Sequence, residues 1–438
     1  MKFIYNKSMN GIFLLIGYEY LFLLITPGAK AVGMASAFSA LWDDATCVYY
    51  NPGAIGFVEK PEISSMNVAF PPGPGRLLLK GILGTMNLFL ETTTTPEPFW
   101  RPYFLPEIRY EYWAMVLPCP GGGVGVDFAL FDEGIFEATL DTTTLEFEPF
   151  DMAVSIGYGV KKEIGVIRVG VGASAKFIYS YLAPEELVEA VLDTSGGSSI
   201  GFGVNAGILV NLFSGLSFGI SLLNLGKGTP YLEGGEAVSL PLFRRIGYAI
   251  KPVKVLDYFF HTHISRYFSF TYAREDVRIQ EKDEEHCYYS RGFEVTLLDF
   301  FSYRWGESVD TVGRRVGKTY GYGLNLGVFR IGVATDTPTY PASISNWQVQ
   351  VDFSHHLPGF LEDNDKLDDK ISFLASCMVP GAGQFYRGSI GKGAALLLGS
   401  FCFSEWNYRK GGILPKVGLG VMYFLSVTDA LLYLFQHR

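Results

Sequence analysis

The stretch Ser199–Leu212, SIGFGVNAGILVNL, alternates two kinds of residue. Every second residue from Ile200 to Val210 is apolar, and most residues between them are glycine or asparagine. Period-two alternation predicts a β-strand whose two faces meet different surroundings. In a soluble β-sandwich the large residues would face a core, whereas in a membrane barrel they would face lipid. The stretch alone leaves both interpretations open.

The composition excludes nucleic-acid binding. The chain has a formal net charge of −9, and charged residues make up only 18% of it. Binding to phosphates requires clustered Lys and Arg, and the sequence contains no such basic block. Glycine is abundant, at 51 of 438 residues, and aromatic residues make up 15%. These values indicate a glycine-rich, aromatic-rich protein with little surface charge.

The same alternation recurs along most of the chain and predicts an all-β fold. Fourteen segments are interpreted as strands: residues 61–70, 106–118, 122–132, 147–160, 164–182, 197–211, 215–224, 241–251, 254–273, 286–297, 300–305, 317–327, 329–336 and 345–353. Connections after even-numbered strands are short, as at Pro120–Gly121, 161–163 and Phe213–Ser214, whereas those after odd-numbered strands are long. This asymmetry and the even strand count are typical of outer-membrane barrels. We therefore predict an antiparallel outer-membrane barrel of about 14 strands over residues 61–353.

Charged residues in the predicted strands favour lipid on the large-residue face. In the central alternating runs, the charges all fall on the face of small or polar residues: Asp127, Asp151, Arg168, Lys176, Arg330 and Asp352. A charge at mid-depth on the lipid face of a barrel costs about 2–4 kcal/mol. A sandwich core would also exclude charge, but a water-facing strand would carry more Lys, Glu and Thr than these strands do.

Residues 1–27 have the features of a secretory signal peptide. Lys2 and Lys7 form a basic start, residues 11–25 form an apolar run, and Ala29-Lys30-Ala31 offers a small-x-small cleavage pattern. Glu19 interrupts the apolar run. An uncleaved anchor or a misplaced start codon is the alternative.

The last part of the chain differs from the barrel region. Residues 354–370 form a polar linker, and residues 371–438 are apolar with helical spacing. We predict a hydrophobic helical hairpin there, interrupted by Lys392 and Asp429. Such a hairpin would span the membrane or lie on it, and a soluble cap on the barrel mouth is the alternative.

Residues 28–60 are predicted to form a plug inside the barrel. Their sequence begins GAKAVGMASAFSALWDDATCVYYNPGAIGF: a small-residue helix, then an Asp-Asp step, then Asn-Pro-Gly. This order resembles the N-terminal plug of the FadL and PorV families of outer-membrane barrels. The strand ending at Phe353 is similar to the aromatic-ended strand that those families present for barrel assembly. The resemblance covers residues 28–353, and the 438 − 353 = 85 residues that follow depart from it.

The candidate site consists of the plug and the wall charges that share the inward parity. Asp43 and Asp44 are predicted to latch the plug, and Asn51, Pro52 and Gly53 to turn the chain from the plug into the wall, because Pro52 fixes its own φ and biases Asn51 away from helix. The wall cations predicted to pair with the two aspartates are Arg168, Lys176, Arg245 and Arg330. The alternative is that Asp43 and Asp44 form a solvated helix end.

No pattern in the sequence indicates catalysis or a cofactor. His261 and His263 fall on one side of a predicted strand, with His286 and Cys287 beyond the next loop, but two ligands do not make a metal site. The five cysteines are scattered, and neither G-x-S-x-G nor H-E-x-x-H occurs. We therefore predict no cofactor, no metal and no enzyme activity.

The resemblance implies two functions for a protein of the bacterial outer membrane. One is transport of hydrophobic small molecules through the plugged lumen, as in FadL-like proteins. The alternative is a PorV-like accessory role in which the barrel binds exported proteins during secretion. The expected partners are outer-membrane lipid, a hydrophobic ligand or detergent in the lumen, and secreted or envelope proteins. The aromatic stretch at 98–104, PFWRPYF, is a candidate external contact.

Overall fold

The computed structural model describes residues 20–69, 109–140, 143–281, 284–310, 316–327, 329–336, 346–354, 372, 376, 380–410 and 413–436. The aromatic stretch at 98–104, most of the predicted signal peptide and most of the polar linker lie outside these residues.

Seventeen strands occur in the described chain. They are β1 (Glu62–Ala69), β2 (Arg109–Cys119), β3 (Gly122–Asp132), β4 (Phe136–Leu140), β5 (Thr143–Phe147), β6 (Phe150–Ile164), β7 (Ile167–Tyr181), β8 (Ser198–Leu212), β9 (Leu216–Gly228), β10 (Val238–Ser239), β11 (Leu242–Ile250), β12 (Phe268–Glu281), β13 (Glu284–Leu297), β14 (Phe301–Asp310), β15 (Val316–Asn325), β16 (Phe329–Asp336) and β17 (Asn346–Ser354).

Fourteen of these strands close into one antiparallel barrel, as the sequence predicts. Strands β1, β2, β3, β6, β7, β8, β9 and β11 to β17 pair in that order, and β17 pairs back with β1. The short strand β10 extends the sheet beside β9, and β4 and β5 form a separate hairpin. Closure pairs the backbone groups of both terminal wall strands, which a bilayer interior requires because it offers no water to bond them.

The large residues face outward, which settles the question raised by Ser199–Leu212. On β8, Phe202 is 63% exposed, whereas its neighbour on the other face of the strand, Asn205, is 2% exposed. The same alternation holds on β6, where Ile156 is 60% exposed and Ser155 is buried. In a β-sandwich, these large apolar side chains would be buried between the two sheets. The chain is therefore an outer-membrane barrel with an apolar outer surface and a filled lumen.

The predicted strand at 254–273 was wrong in its first half. Pro252 begins a helix that runs to Phe260, and β12 starts only at Phe268. Proline suits the first helical turn because its φ is already helical and its missing N–H has no partner there. This connection is therefore long, although it lies at the end of the barrel that carries the short turns.

Two other connections also differ from the prediction. Residues 161–163 belong to β6, and the turn follows at Gly165, whose φ of +60° suits glycine. Only residues 282 and 283 separate β12 from β13, where a long connection was predicted. The end of the barrel that carries the turns at 120–121 and 213–215 is called the turn end below, and the opposite end is called the loop end.

Seven α-helices occur in the described residues. They are α1 (Ala29–Gly33), α2 (Cys47–Tyr50), α3 (Glu185–Leu192), α4 (Pro252–Phe260), α5 (Ala382–Tyr386), α6 (Ile390–Lys410) and α7 (Ile413–Gln436). The first two lie inside the barrel and the last three follow it. Within the described parts of the chain, no helix has both the length and the apolar character needed to cross a membrane.

The orientation of β6 predicts a depth-dependent effect of charge on its outer face. Ile156 lies at the middle of the strand, and Ile164 lies at its turn end with nearly the same exposure, 59%. Arginine costs about 2–4 kcal/mol at the bilayer midplane and about 0–1 kcal/mol near the interface. We expect Ile156→Arg to lower the free energy of unfolding in phospholipid vesicles by the larger amount and Ile164→Arg by the smaller. Equal effects in urea titrations would contradict the orientation.

Candidate functional site

The plug fills the middle of the lumen. Residues 29–35 include α1, residues 47–50 form α2, and Pro52–Phe57 form a 3₁₀ helix, and nearly all of their side chains are buried. Small residues make this possible, since α1 lies so close to the wall that a Cβ on Gly33 would be 3.2 Å from the Cα of Gly321. The plug is therefore packed against the wall.

The predicted residues Asn51, Pro52 and Gly53 lie where the plug contacts β8. Asn51 is extended, with φ −158° and ψ 103°, as expected before proline. Its side-chain amide donates to the carbonyl oxygens of Ser39, at 2.7 Å, and Ile208, at 3.0 Å. Its side-chain oxygen accepts from the backbone N–H of Gly53 at 2.9 Å. One asparagine thus joins two parts of the plug to the wall.

Gly207 on β8 allows this contact. A Cβ at Gly207 would lie 1.9 Å from Oδ1 of Asn51, a distance that no real contact adopts. At Gly203, on the same face of the same strand, the atom nearest to a Cβ would be Cδ1 of Leu240, at 3.2 Å, and backbone atoms of Asn224 would lie in ordinary contact at 3.6 and 3.8 Å. The fit between plug and wall therefore depends on glycine at position 207.

This difference predicts unequal effects of the same substitution. We expect Gly207→Ala to displace Asn51 and to cost about 1–3 kcal/mol, as overpacking does in cores. Gly203→Ala needs only a small shift of a leucine methyl group, so we expect less than half of that cost. Urea titration of both variants in vesicles measures the difference, and a larger effect at Gly203 would contradict the proposed contact.

Asp43 binds cations from both the plug and the wall. Its carboxylate lies 2.6 Å from Nζ of Lys251, just after β11, and 3.1 Å from Nζ of Lys30 in α1. Its backbone carbonyl accepts from Nη1 of Arg330 at 2.7 Å. Burial would raise the pKa of Asp43, but the ammonium groups of Lys251 and Lys30 hold that pKa well below its usual value. Asp43 therefore stays charged at neutral pH.

Asp44 has a different role. It is 1% exposed, and it accepts hydrogen bonds from the backbone N–H of Thr46, at 2.9 Å, and from the Thr46 hydroxyl. The amide of Gln350 on β17 donates to it at 3.4 Å. Asp44 thus shapes the turn before α2 and is not a solvated helix end.

The four predicted wall cations contact the plug, but they do not bind the two carboxylates as predicted. Arg168 lies over the rings of Trp42 and Phe57, Lys176 over Tyr49, and Arg245 over Tyr50, at 5.1 to 5.9 Å from the ring centroids. Their side-chain partners come from the wall: Arg245 and Arg330 bind the carboxylates of Glu275, at 2.7 Å, and Glu62, at 3.2 Å. Arg168 and Lys176 donate to the amide oxygens of Asn211, at 2.6 Å, and Asn224, at 2.7 Å. The pairing was wrong because parity gives the face of a strand and not the height of a residue along the barrel.

Two wall residues that the sequence analysis missed also hold the plug. Lys251 shares the inward parity of Arg245, so the alternation could have identified it as a partner for Asp43. Glu275 lies in a region predicted to be a loop, and its carboxylate accepts from the backbone N–H groups of Phe38 and Ser39, both at 2.8 Å. Only the true position of β12 brings Glu275 to the plug.

The residues considered as metal ligands are separated by the length of a strand. His261 and His263 follow α4 at the turn end, whereas His286 and Cys287 are on β13 near the loop end. They are not on one strand face, because α4 replaces the predicted strand. Among the described residues, no three His, Cys, Asp or Glu side chains are grouped so that they could hold a metal ion.

The turn side of the lumen contains a polar cavity. Its volume is about 630 Å³, and charged side chains from the plug and the wall line it. They include Asp43, Lys251, Glu294, Arg304 and Arg330. Glu294 binds Arg304 and Lys30, both at 2.8 Å, so charges of both signs are paired along this surface. The cavity suits water and ions better than apolar molecules.

On the loop side of the lumen, residues 20–27 lie in an apolar cluster. Tyr20, Phe22 and Leu23 are at most 3% exposed, and they belong to the same apolar cluster as Tyr110, Tyr112, Ile178, Tyr231, Val238 and Leu240 of the wall and loops. The Tyr20 hydroxyl lies 2.5 Å from the Ser199 hydroxyl, near the loop end of β8. We call this space, defined by the residues around 20–27, the upper chamber.

Side chains bind the backbone of residues 20–27 as well. Hydroxyl groups of Tyr49 and Tyr50 donate to the carbonyl oxygens of Leu23, at 3.0 Å, and Pro27, at 2.7 Å. Tyr110 makes a longer bond to Ile25, at 3.5 Å, and the Gln348 amide donates to Thr26 at 3.0 Å. The Tyr112 hydroxyl is buried without a partner among the described residues. The upper chamber therefore combines apolar walls with hydrogen-bond donors.

The comparisons with known proteins identify similar structures but no similar sequence. No protein-family model matches the chain, and no curated protein does. The toluene transporter TodX of Pseudomonas putida aligns with 76% of this chain and 98% of its own, at 10% identity and a TM-score of 0.43. A FadL homologue of Pseudomonas aeruginosa aligns over 76% and 99%, at 11% and 0.43. The toluene transporter TbuX of Ralstonia pickettii aligns over 77% and 100%, at 11% and 0.42.

The arrangement around Asp43 predicts that this residue controls the plug. Removing one partner from a buried ion pair leaves a charge without compensation, at a cost of about 3–5 kcal/mol. We expect Asp43→Asn, which removes the carboxylate partner of Lys251 and leaves Lys30 with Glu294 alone, to loosen the plug and to raise ion conductance in planar bilayers. Glu59→Gln is the control, because Glu59 also pairs with a wall lysine, Lys161, but is 67% exposed. Unchanged conductance in Asp43→Asn would refute the latch.

Proposed function

We propose that the chain passes small hydrophobic molecules across the outer membrane through its plugged lumen. The observation that carries this proposal is the upper chamber, where an apolar segment of the chain itself is buried inside the barrel. Tyr20, Phe22 and Leu23 bury their side chains there in place of water. A space that accepts these side chains also suits an apolar ligand, since burial of apolar surface is worth roughly 25 cal/mol per Å².

Cleavage of the predicted signal peptide would empty this chamber. If residues 1–27 are removed on export, residues 20–27 leave the lumen and Gly28 becomes the first residue of the plug. The chamber would then open to the loop side, and the donors of Tyr49, Tyr50, Tyr110 and Gln348 would be free for a ligand. Apolar molecules with one or a few acceptor oxygens fit this surface best.

The plug and the polar cavity then determine the route. A ligand in the upper chamber is separated from the turn side by the plug, which Asp43 and Asn51 hold to the wall. Below the plug, the charged lining gives an apolar molecule no comparable surface to bury. We infer that the chamber provides affinity and that movement of the plug limits passage.

Binding of an exported protein is a second candidate, and one observation favours it. Side-chain donors bond the carbonyl oxygens of Leu23, Ile25, Thr26 and Pro27 in one continuous segment. Donors aimed at successive carbonyls recognise a peptide backbone without regard to its sequence. A segment of a secreted protein entering from the loop end would find the same donors.

The test compares two forms of the mature protein. In one form, an efficiently cleaved signal peptide from another protein replaces residues 1–27, so that the mature chain begins at Gly28. In the other form it replaces residues 1–19, so that the mature chain begins at Tyr20 and keeps residues 20–27. Both forms would be made in cells whose lipopolysaccharide excludes N-phenyl-1-naphthylamine, an apolar dye that fluoresces once inside. We expect faster dye entry through the form that begins at Gly28, because its chamber is vacant.

A wall variant provides the control. Ile178 is fully buried in the upper chamber cluster, and Ile200 lies on the neighbouring strand facing outward near the loop end. We expect Ile178→Lys to abolish the faster entry and Ile200→Lys to preserve it. Equal entry through both N-terminal forms, with both folded by heat-modifiable migration on gels, would refute transport through the chamber.

A further inference from the structure

The three C-terminal helices pack against the outside of the barrel where it closes. We call the pairing of β1 with β17 the seam, because it joins the first and last strands. Ile63 of β1 and Val351 and Phe353 of β17 form one buried apolar cluster with residues of the helices. The helical residues in this cluster are Ala382, Phe385 and Leu397. Each of these six side chains is at most 8% exposed.

The orientation of β17 shows that this contact is on the outer surface. Gln350 and Asp352 of β17 face the lumen, where Gln350 donates to Asp44 of the plug. Val351 and Phe353 alternate with them and must face outward. On β6 and β8, by contrast, the outward residues Ile156 and Phe202 are 60% and 63% exposed. The helices therefore occupy a position that lipid occupies around the rest of the wall.

The covered area extends over four neighbouring strands. Partly buried residues that pack on the same cluster are Met115 and Leu117 of β2 and Phe329 of β16. The ring of Phe329 meets that of Phe353 edge-on at 5.2 Å. Leu117, Phe329 and Phe353 all lie near the turn ends of their strands. The helices therefore cover the seam and one strand on each side of it, at the turn end.

A polar network makes the three helices one unit. The Gln384 amide in α5 donates to the backbone oxygen of Ser426 in α7 at 2.8 Å, and the Ser426 hydroxyl accepts from the N–H of Gly381 at 2.9 Å. The Asp429 carboxylate of α7 binds Arg387, which follows α5, at 2.7 Å and Lys392 of α6 at 2.9 Å. This network gives a structural role to the P-G-x-G-Q-x-Y motif at 380–386: it fixes α5, which carries Phe385, to α7.

The opposite face of α7 carries an exposed apolar stripe. Leu414, Val417, Val421, Phe424 and Leu425 are between 47% and 69% exposed, and their spacing places them on one side of the helix. The stripe belongs to a unit that is already packed on the lipid-facing wall, so it continues the apolar outer surface of the barrel. Acyl chains are the partner that this continuity fits.

We propose that α5–α7 form a brace that clamps the seam from outside and presents the stripe on α7 to acyl chains of the leaflet at the turn end. Strands in a barrel are held by their neighbours, and the seam is the pairing that joins the first strand to the last. Apolar contacts across four strands oppose its separation. The brace covers part of the wall that lipid would otherwise contact, and the stripe on α7 contacts lipid in its place.

Two neighbouring leucines on α6 provide a matched test of the clamp. Leu397 is buried in the cluster at the seam, and Leu398 beside it is 53% exposed. Heat-modifiable migration on gels reports the temperature at which the barrel opens. We expect Leu397→Ala to lower that temperature by several degrees and Leu398→Ala to leave it unchanged, because only Leu397 leaves a cavity. A chain ending at Ser354 should open at a still lower temperature.

Spin labels on the full chain test contact with lipid. After the native cysteines are replaced by serine, one label would be placed at Val421 and another at Glu59, which is exposed at the turn end. In liposomes, we expect the label at 421 to be relaxed by oxygen and protected from the water-soluble nickel complex NiEDDA, and the label at 59 to show the reverse.

Each result decides one part of the proposal. Equal opening temperatures for Leu397→Ala, Leu398→Ala and the shortened chain would overturn the clamp. Relaxation by NiEDDA at 421 equal to that at 59 would overturn the contact with lipid. Neither the opening temperature nor the spin-label relaxation depends on dye entry. Both can therefore be interpreted even if the transport proposal fails.

Discussion

The structure depends on one constraint: each wall strand must offer an apolar face to lipid and a small-residue face to a plug. Lipid provides no hydrogen bonds to the backbone, so the fourteen strands must close. Closure creates a lumen, and the glycine, serine and asparagine rows let the plug enter it. Gly207 shows how tight this fit is, since one added carbon would collide with Asn51. The alternation in a single strand thus serves both the membrane and the plug.

Charges hold the plug in two different ways. Asp43 gathers Lys30 and Lys251 at its carboxylate and Arg330 at its carbonyl, so three cations meet at one plug residue. Arg168, Lys176 and Arg245 instead lie over plug rings. Cations over aromatic faces bind without requiring an acidic partner in the plug, and each is worth about 0.5–2 kcal/mol. The plug is therefore held by many contacts of moderate strength, and those at Asp43 involve the most charge.

The plug also separates two unlike halves of the lumen. The upper chamber suits apolar molecules and the polar cavity suits water and ions, so the two ends of the lumen differ in what they can bind. The brace proposed for α5–α7 lies away from this path, because its contacts among the described residues are with the outer faces of β1, β2, β16 and β17. Passage through the lumen and closure of the barrel thus rest on different residues, which can be altered separately.

The sequence by itself determined a barrel of about fourteen strands and the orientation of their faces, because side-chain alternation is local and recurs in most of the strands. It also indicated Asn51, Pro52 and Gly53 as the point where the plug turns, since proline restricts its neighbours in any context. Only the tertiary structure decided which charges meet. Parity gave the inward face of Arg245 but not its height along the barrel. The helix at Pro252–Phe260 shifts the start of β12, so that Glu275 lies on a strand and reaches the plug. The position of α5–α7 on the seam was likewise beyond the sequence, because packing between distant segments depends on surfaces that exist only after the barrel closes.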